Sequence, residues 1–226
     1  MKSKGLFLLT LFFLIWIQGS GQERVTVRAG DNLTEALSTS RYLFPQFQDA
    51  RVVLKDRTLM AKMNYNALSG QMEFMDANGQ ILELSENVLA IVFGERMFQY
   101  TSKGYMEVLA DDPIHKLLVH TRYSEGDRKK QGAFGTYSST TAISSYSTID
   151  TDTGVKALTP NEEVTYTKKH NYYLFFSGKY TLANKASFTK NFGKQRPQME
   201  QYLKEFPVNF TNHEDLKRLF LYCTQE

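Results

Sequence analysis

One cysteine, one tryptophan and five prolines in 226 residues set the first limits on this chain. A lone Cys223 permits no intramolecular disulfide, which excludes the small stapled scaffolds that secreted chains use when their cores are thin. Histidine is scarce too, with four in all, so few groups are available for acid–base or metal chemistry. Charge nearly cancels: the formal net is +3, and Lys2, Lys4 and Arg24 supply three positive charges at the N-terminal end. The remainder is close to neutral and gives no electrostatic case for nucleic acid. No apolar run reaches the roughly 20 residues that a membrane-spanning helix requires.

What is present begins with a leader. Lys2 and Lys4 precede an apolar run from Leu6 to Ile17, and Gly19, Ser20 and Gly21 follow. A charged n-region, a short h-region and a small-residue cleavage zone read as a signal peptide over residues 1–21. No cysteine stands in the cleavage zone to carry a lipid. The expectation is a chain from Gln22 onward that works in the periplasm or outside the cell, is not transmembrane once processed, and has the outer membrane as a further place of residence. Hydrophobic residues make up 42% and aromatics 13%, enough to bury a core, so residues 22–226 are read as a single β-rich domain.

From Ala50 to Tyr123 the hydrophobic period is two. Leu59, Ala61, Met63 and Tyr65 share one face while Thr58, Lys62 and Asn64 share the other; Met72 and Phe74 alternate with Gln71 and Glu73, and Leu82 and Leu84 flank Glu83. Such alternation marks strands with one dry face and one wet face. Turn formers separate them, the strongest being Asn78-Gly79, where both residues tolerate positive φ. Val88–Phe93 is apolar throughout and is expected mid-structure, covered on both faces. Short strands this close in sequence predict an antiparallel meander that closes as a barrel or folds as a sandwich.

Residues 126–154 change character: Arg128-Lys129-Lys130 leads into a Ser/Thr/Gly-rich run carrying Phe134, Tyr137 and Tyr146. They read as a long loop, and the basic triplet as a solvated face or a contact to anionic envelope groups. Strands then return at Val164–Thr167, Tyr172–Phe176 and Lys179–Leu182, with Lys168–Asn171 as an exposed turn between the first two. A short N-terminal helix is expected near Leu33–Leu37. The segment 184–223 reads as helical, with two amphipathic helices packed on the sheet. Met199, Tyr202, Leu203 and Phe206 form one apolar stripe after Pro197; Leu216, Leu219, Phe220 and Cys223 form another after a Thr211–Glu214 capping box.

Groups with chemical potential are few. Asp111, Asp112, His115 and His120 form the densest cluster, yet 115 and 120 point to opposite faces of a regular strand, so one metal takes both only across a bulge or bend. A turn with two ordinary histidines explains them, and a hydrolase built on Asp111, Asp112 and His115 is the weaker alternative. His213 has a cap role, and Cys223 reads as a buried spectator. No motif for a metal or another cofactor is read. Contact surfaces are expected instead at Phe134, Tyr137 and Tyr146 of the loop and at Tyr42 and Phe44 of the aromatic Tyr42–Phe47 segment, because aromatics bring large area at low entropy cost.

Four stretches, Tyr42–Phe47 with Ala50–Asp56, Met63–Gly79, Gly135–Ile149 and Glu214–Tyr222, resemble a group of uncharacterised exported proteins from Bacteroidota-type bacteria. The resemblance implies an envelope or secreted location and a single β-rich domain; it implies no activity, ligand or catalytic residue. The sequence thus leads to a non-enzymatic exported protein that binds or assembles with an envelope protein or cell-surface component. A carrier of a small hydrophobic ligand, with a β-barrel cavity lined by Met63, Phe74, Leu84 and Phe98, is the alternative.

Overall fold

The computed structural model describes residues 23–84, 88–131, 137–138 and 162–225. Twelve strands form one sheet: β1 (Arg24–Val27), β2 (Gln48–Leu54), β3 (Thr58–Asn66), β4 (Gln71–Met75), β5 (Ile81–Glu83), β6 (Val88–Phe93), β7 (Arg96–Thr101), β8 (Gly104–Asp111), β9 (His115–Gln131), β10 (Tyr137–Ser138), β11 (Glu163–Phe176) and β12 (Lys179–Leu182). The main path runs β1-β11-β9-β8-β7-β6-β2-β3-β4-β5; β10 pairs with β9, and β12 with β11. Every ladder is antiparallel. Four helices accompany the sheet: α1 (Leu33–Ala36), α2 (Lys185–Asn191), α3 (Arg196–Glu205) and α4 (His213–Thr224). No helix among the described residues is long and apolar enough to cross a membrane.

The mainly β, antiparallel architecture agrees with the period-two reading, but the ladder does not close, because β1 and β5 end the path without pairing to each other. The sheet curls instead. β8 and β9 pair only from Glu107 to Asp111, and the β3–β4 turn bonds to both strands just past that point. Ala67 O accepts from Tyr123 N–H (3.0 Å) and Gly70 O from Tyr105 N–H (3.4 Å), while the Tyr65 hydroxyl donates to Thr121 O (2.7 Å). Gly104 makes this approach possible: φ is +92°, and a Cβ there would stand 3.1 Å from Gly70 O.

Three cores follow from the curl. The first fills the concave side between β2–β4 and β6–β8, with Val52, Met63, Tyr65, Met72, Ile91 and Phe98. The second packs α2, α3 and α4 on β9 and β11 through Leu117, Leu174, Phe188, Leu216 and Phe220. A smaller third core gathers Val27, Leu33, Leu37, Leu68 and Val164. β6 is mid-sheet as expected but covered on one face only: Val88, Ile91 and Phe93 are buried while Leu89 is exposed, because the convex side of the curl is solvated.

Two boundaries differ from the sequence reading, each for a visible reason. The segment from Gly126 does not begin a loop; β9 continues to Gln131. Gly126 faces a β-bulge at Thr165, whose carbonyl would lie 3.1 Å from a Cβ at 126, so the glycine marks a bulge rather than a turn. Likewise Lys168–Asn171 is mid-strand in β11. Those polar residues span the interval between the third core, which takes Val164 and Tyr166, and the second, which takes Tyr172 and Leu174. Both expected C-terminal helices form, with α2 as an addition before them. α3 carries Pro197 in its first turn and ends at Glu205, before the Phe206-Pro207 dipeptide. The α4 cap is Asn212, whose side chain accepts from Asp215 N–H (3.0 Å), in place of the Thr211–Glu214 box.

Candidate functional site: the free edge of the sheet

Of the residues expected to carry contacts, Phe44 and Tyr42 have different surroundings. Phe44 is 8% exposed and belongs to the first core, its ring 4.8 Å from that of Phe93. Pro45 interrupts the approach to β2, and Asn64 repairs the gap: its amide accepts from Phe44 N–H (3.1 Å) and donates to Phe44 O (2.9 Å). The Phe44 ring faces inward over this brace and beneath the Arg96 guanidinium (4.8 Å). Arg96 in turn makes a bidentate pair with Glu107 (2.6 and 2.7 Å), whose side chain is 10% exposed. Tyr137 stands opposite Gln131 in the short β10 ladder; Phe134 and Tyr146 lie outside the described residues.

Tyr42 is half-buried. Its hydroxyl accepts from Arg41 Nη2 (2.8 Å) and donates to Glu73 Oε2 (2.6 Å), and its ring meets Phe47 edge-on at 5.2 Å. Burial and the neighbouring Glu73 carboxylate push the Tyr42 hydroxyl up to about 12. The other Glu73 oxygen accepts from Asn66 Nδ2 (2.6 Å). Glu73 is therefore fully engaged, and it faces Glu83 directly across the β4–β5 ladder. Glu83 makes no ion pair among the described residues.

β5 is the last strand on this side. The turn before it is held by Asp76, whose Oδ1 accepts from Asn78 and Gln80 N–H (both 2.8 Å), and only Gly79 has positive φ (+80°). Asp76 N–H donates to Gln80 O and Leu84 N–H to Met72 O (both 2.9 Å). Bonded positions alternate in an antiparallel pair, so Gln80, Leu82 and Leu84 face β4. The N–H and C=O of Ile81 and Glu83 point the other way, off the sheet. Apolar side chains flank this open edge: Ile81 is 44% exposed, Leu82 43%, and Met75, opposite Ile81, 37%.

The chemically capable groups have structural duties. Asp112 Oδ1 accepts from Ile114 and His115 N–H (2.6 Å each), and its Oδ2 lies 3.0 Å from His115 Nδ1. Burial pushes the Asp112 carboxyl up, but these bonds and the His115 ring outweigh it and hold the group below its ordinary range. The His115 ring is packed between Phe176 (4.7 Å) and Phe192 (4.4 Å), with Nε2 buried and without a hydrogen-bond partner among the described residues. A histidine that works on a substrate needs that nitrogen within reach. Asp111 is exposed at the end of β8, opposite Lys116. His170 is held below its usual value by desolvation, Lys168 and His213, and contacts Thr121 Oγ1 (2.8 Å). Arg128 pairs with Glu125, and Lys129 with Glu163 (3.4 Å), so the basic triplet is partly neutralised by its own strands. No three His, Cys, Asp or Glu side chains converge on a metal geometry among the described residues. The cavity of the carrier alternative needed a closed barrel; Met63 and Phe98 are buried in the first core, with Phe74 and Leu84 packed at its margin.

A scan against protein-family models and searches of curated proteins and of solved structures found no match, so the site is read from its own chemistry. The sequence reading placed Leu82 correctly in a strand, with Leu84 one residue beyond its end, but missed that this strand ends the sheet. The signal was its brevity between Asn78-Gly79 and the polar Ser85-Glu86-Asn87.

Proposed function

We propose that this protein is a non-enzymatic component of the cell envelope, exported by residues 1–21, that binds or assembles with an envelope protein or cell-surface component. One observation carries the reading: the sheet ends on an open strand flanked by exposed Ile81, Leu82 and Met75. Proteins normally blunt such an edge with charge, proline or a covering element. The leader read from residues 1–21 supports the location. The start of β1 (Arg24–Val27) is tied down by Lys168, whose Nζ lies 2.6 Å from Glu23 Oε2, so cleavage before Gln22 keeps this contact. The resemblance to exported Bacteroidota-type proteins points to the same location.

The test is fractionation of the full-length chain in a Gram-negative host, with N-terminal sequencing and a photo-cross-linker placed at Met75. The expected result is a processed chain in the periplasmic or outer-membrane fraction, cross-linked to a distinct envelope component. An unprocessed chain in the cytosol contradicts the proposal.

A further inference from the structure

From the geometry of β5 we infer that the free edge takes up an extended segment of another protein as an additional antiparallel strand, and that this segment carries a lysine or arginine opposite Glu83 between apolar residues. The inference rests on the binding role proposed above and names the chemistry of the partner.

Backbone geometry supplies the first reason. Ile81 and Glu83 each direct one N–H and one C=O away from β4, leaving four main-chain groups at the spacing that strand addition uses. Side chains supply the second. Ile81 and Met75 are neighbours on one face, Leu82 lies beside Phe74 on the other, and all but Phe74 are substantially exposed. An added strand with apolar residues opposite Ile81 and Leu82 covers both faces at once. Charge supplies the third. Glu73 and Glu83 are directly opposed carboxylates, an arrangement that costs stability in an antiparallel pair. Glu73 has its two oxygens satisfied by Tyr42 and Asn66, whereas Glu83 has no counter-ion among the described residues. A cationic side chain opposite Glu83 offsets this repulsion and also faces Glu73 across β5. A second copy offers no such match, since a symmetric β5–β5 pairing brings two further carboxylates to the same edge.

The test uses the folded chain from Gln22 and synthetic peptides of about nine residues with two valines on each side of one central residue and threonine at the remaining positions. Fluorescence anisotropy is expected to show the lysine-centred peptide binding about threefold to tenfold tighter than its glutamate-centred counterpart. Glu83→Lys reverses that order. Methylating the peptide's amide nitrogens abolishes binding, as does Ile81→Pro, which removes an outward N–H without touching the β4 ladder. Circular dichroism confirms the fold of each variant, and the methylated peptide and Glu83→Lys carry the test should Ile81→Pro misfold. Binding that ignores peptide charge, N-methylation and Glu83→Lys overturns the inference. So does the absence of any peptide binding, even where the Met75 cross-link to an envelope component persists. Sedimentation showing a wild-type dimer that Ile81→Pro dissociates makes the occupant a second copy and overturns it equally.

Discussion

The two ends of this sheet are built from similar material and finished in opposite ways. At one end β11 is lined by β1 along Val164–Thr167 and by β12 along Tyr173–Phe176. Between them, Lys168 N–H reaches Glu23 O, Lys168 Nζ pairs with Glu23, and Tyr123 donates to Glu23 (3.1 Å) and to Ser40 O (3.0 Å). Burial leads the causes that push the Tyr123 hydroxyl up to about 12, as expected of a phenol enclosed in such a network. At the other end β5 has three exposed residues and, among the described residues, one neighbouring strand and no ion pair for Glu83. Chains that must avoid edge-to-edge association protect both ends. β1 and β12 are edge strands too, each with β11 as its one sheet neighbour, but the network around Glu23 ties β1 down, and no such side-chain network holds β5 among the described residues.

The contrast predicts a gradient of mutational cost. The largest effect belongs to the helix-covered end. Phe220 is fully buried against Phe192 in the second core, so Phe220→Ala should cost about 3–5 kcal/mol, read from the urea midpoint. Next comes the brace behind the aromatic segment. Asn64→Ala leaves the buried N–H and C=O of Phe44 without partners and should cost about 2–3 kcal/mol. Were Asn64→Ala neutral, Phe44 would not depend on that brace.

Acid titration sharpens the comparison. The folded Asp112 carboxyl has a pKa below its unfolded value. Its stabilisation is therefore complete above the unfolded carboxylate range, about pH 4, and is lost as pH falls through the lower folded value. Asp112→Asn should flatten the acid limb of a midpoint-versus-pH curve and leave the neutral region unchanged in slope. Smaller still is the chemical response of Cys223. Burial pushes its thiol up to about 12, so a thiol reagent should label it only when the helical cap opens, at a rate that urea increases steeply. At the bottom of the scale, Ile81→Pro should change stability by no more than about 0.5 kcal/mol, since the N–H it removes has no partner in the sheet.

Period-two alternation made most of the strands legible, and apolar stripes at helical spacing marked α3 and α4. What the residues hid was pairing between distant segments. Gly126 reads as a turn former until Thr165 is found bulging toward it, and Lys168–Asn171 reads as a turn until its flanks are seen to belong to two different cores. Phe44 and Tyr42 look alike in sequence, yet Phe44 packs into the first core while the Tyr42 hydroxyl reaches Glu73, because this irregular segment follows no strand alternation. The free edge was the least legible feature. Which strand is last depends on the whole sheet order, which no local pattern in Ile81-Leu82-Glu83 encodes.

Amide hydrogen exchange followed residue by residue bears most directly on the role of β5. In the free protein Leu82 and Leu84 should be protected by β4, while Ile81 and Glu83 exchange as open amides. Adding the lysine-centred peptide in excess should slow Ile81 and Glu83 and leave the β1–β11 edge as it was. Protection at Ile81 and Glu83 already present in the free chain, or peptide-dependent slowing only at the opposite edge, would contradict it.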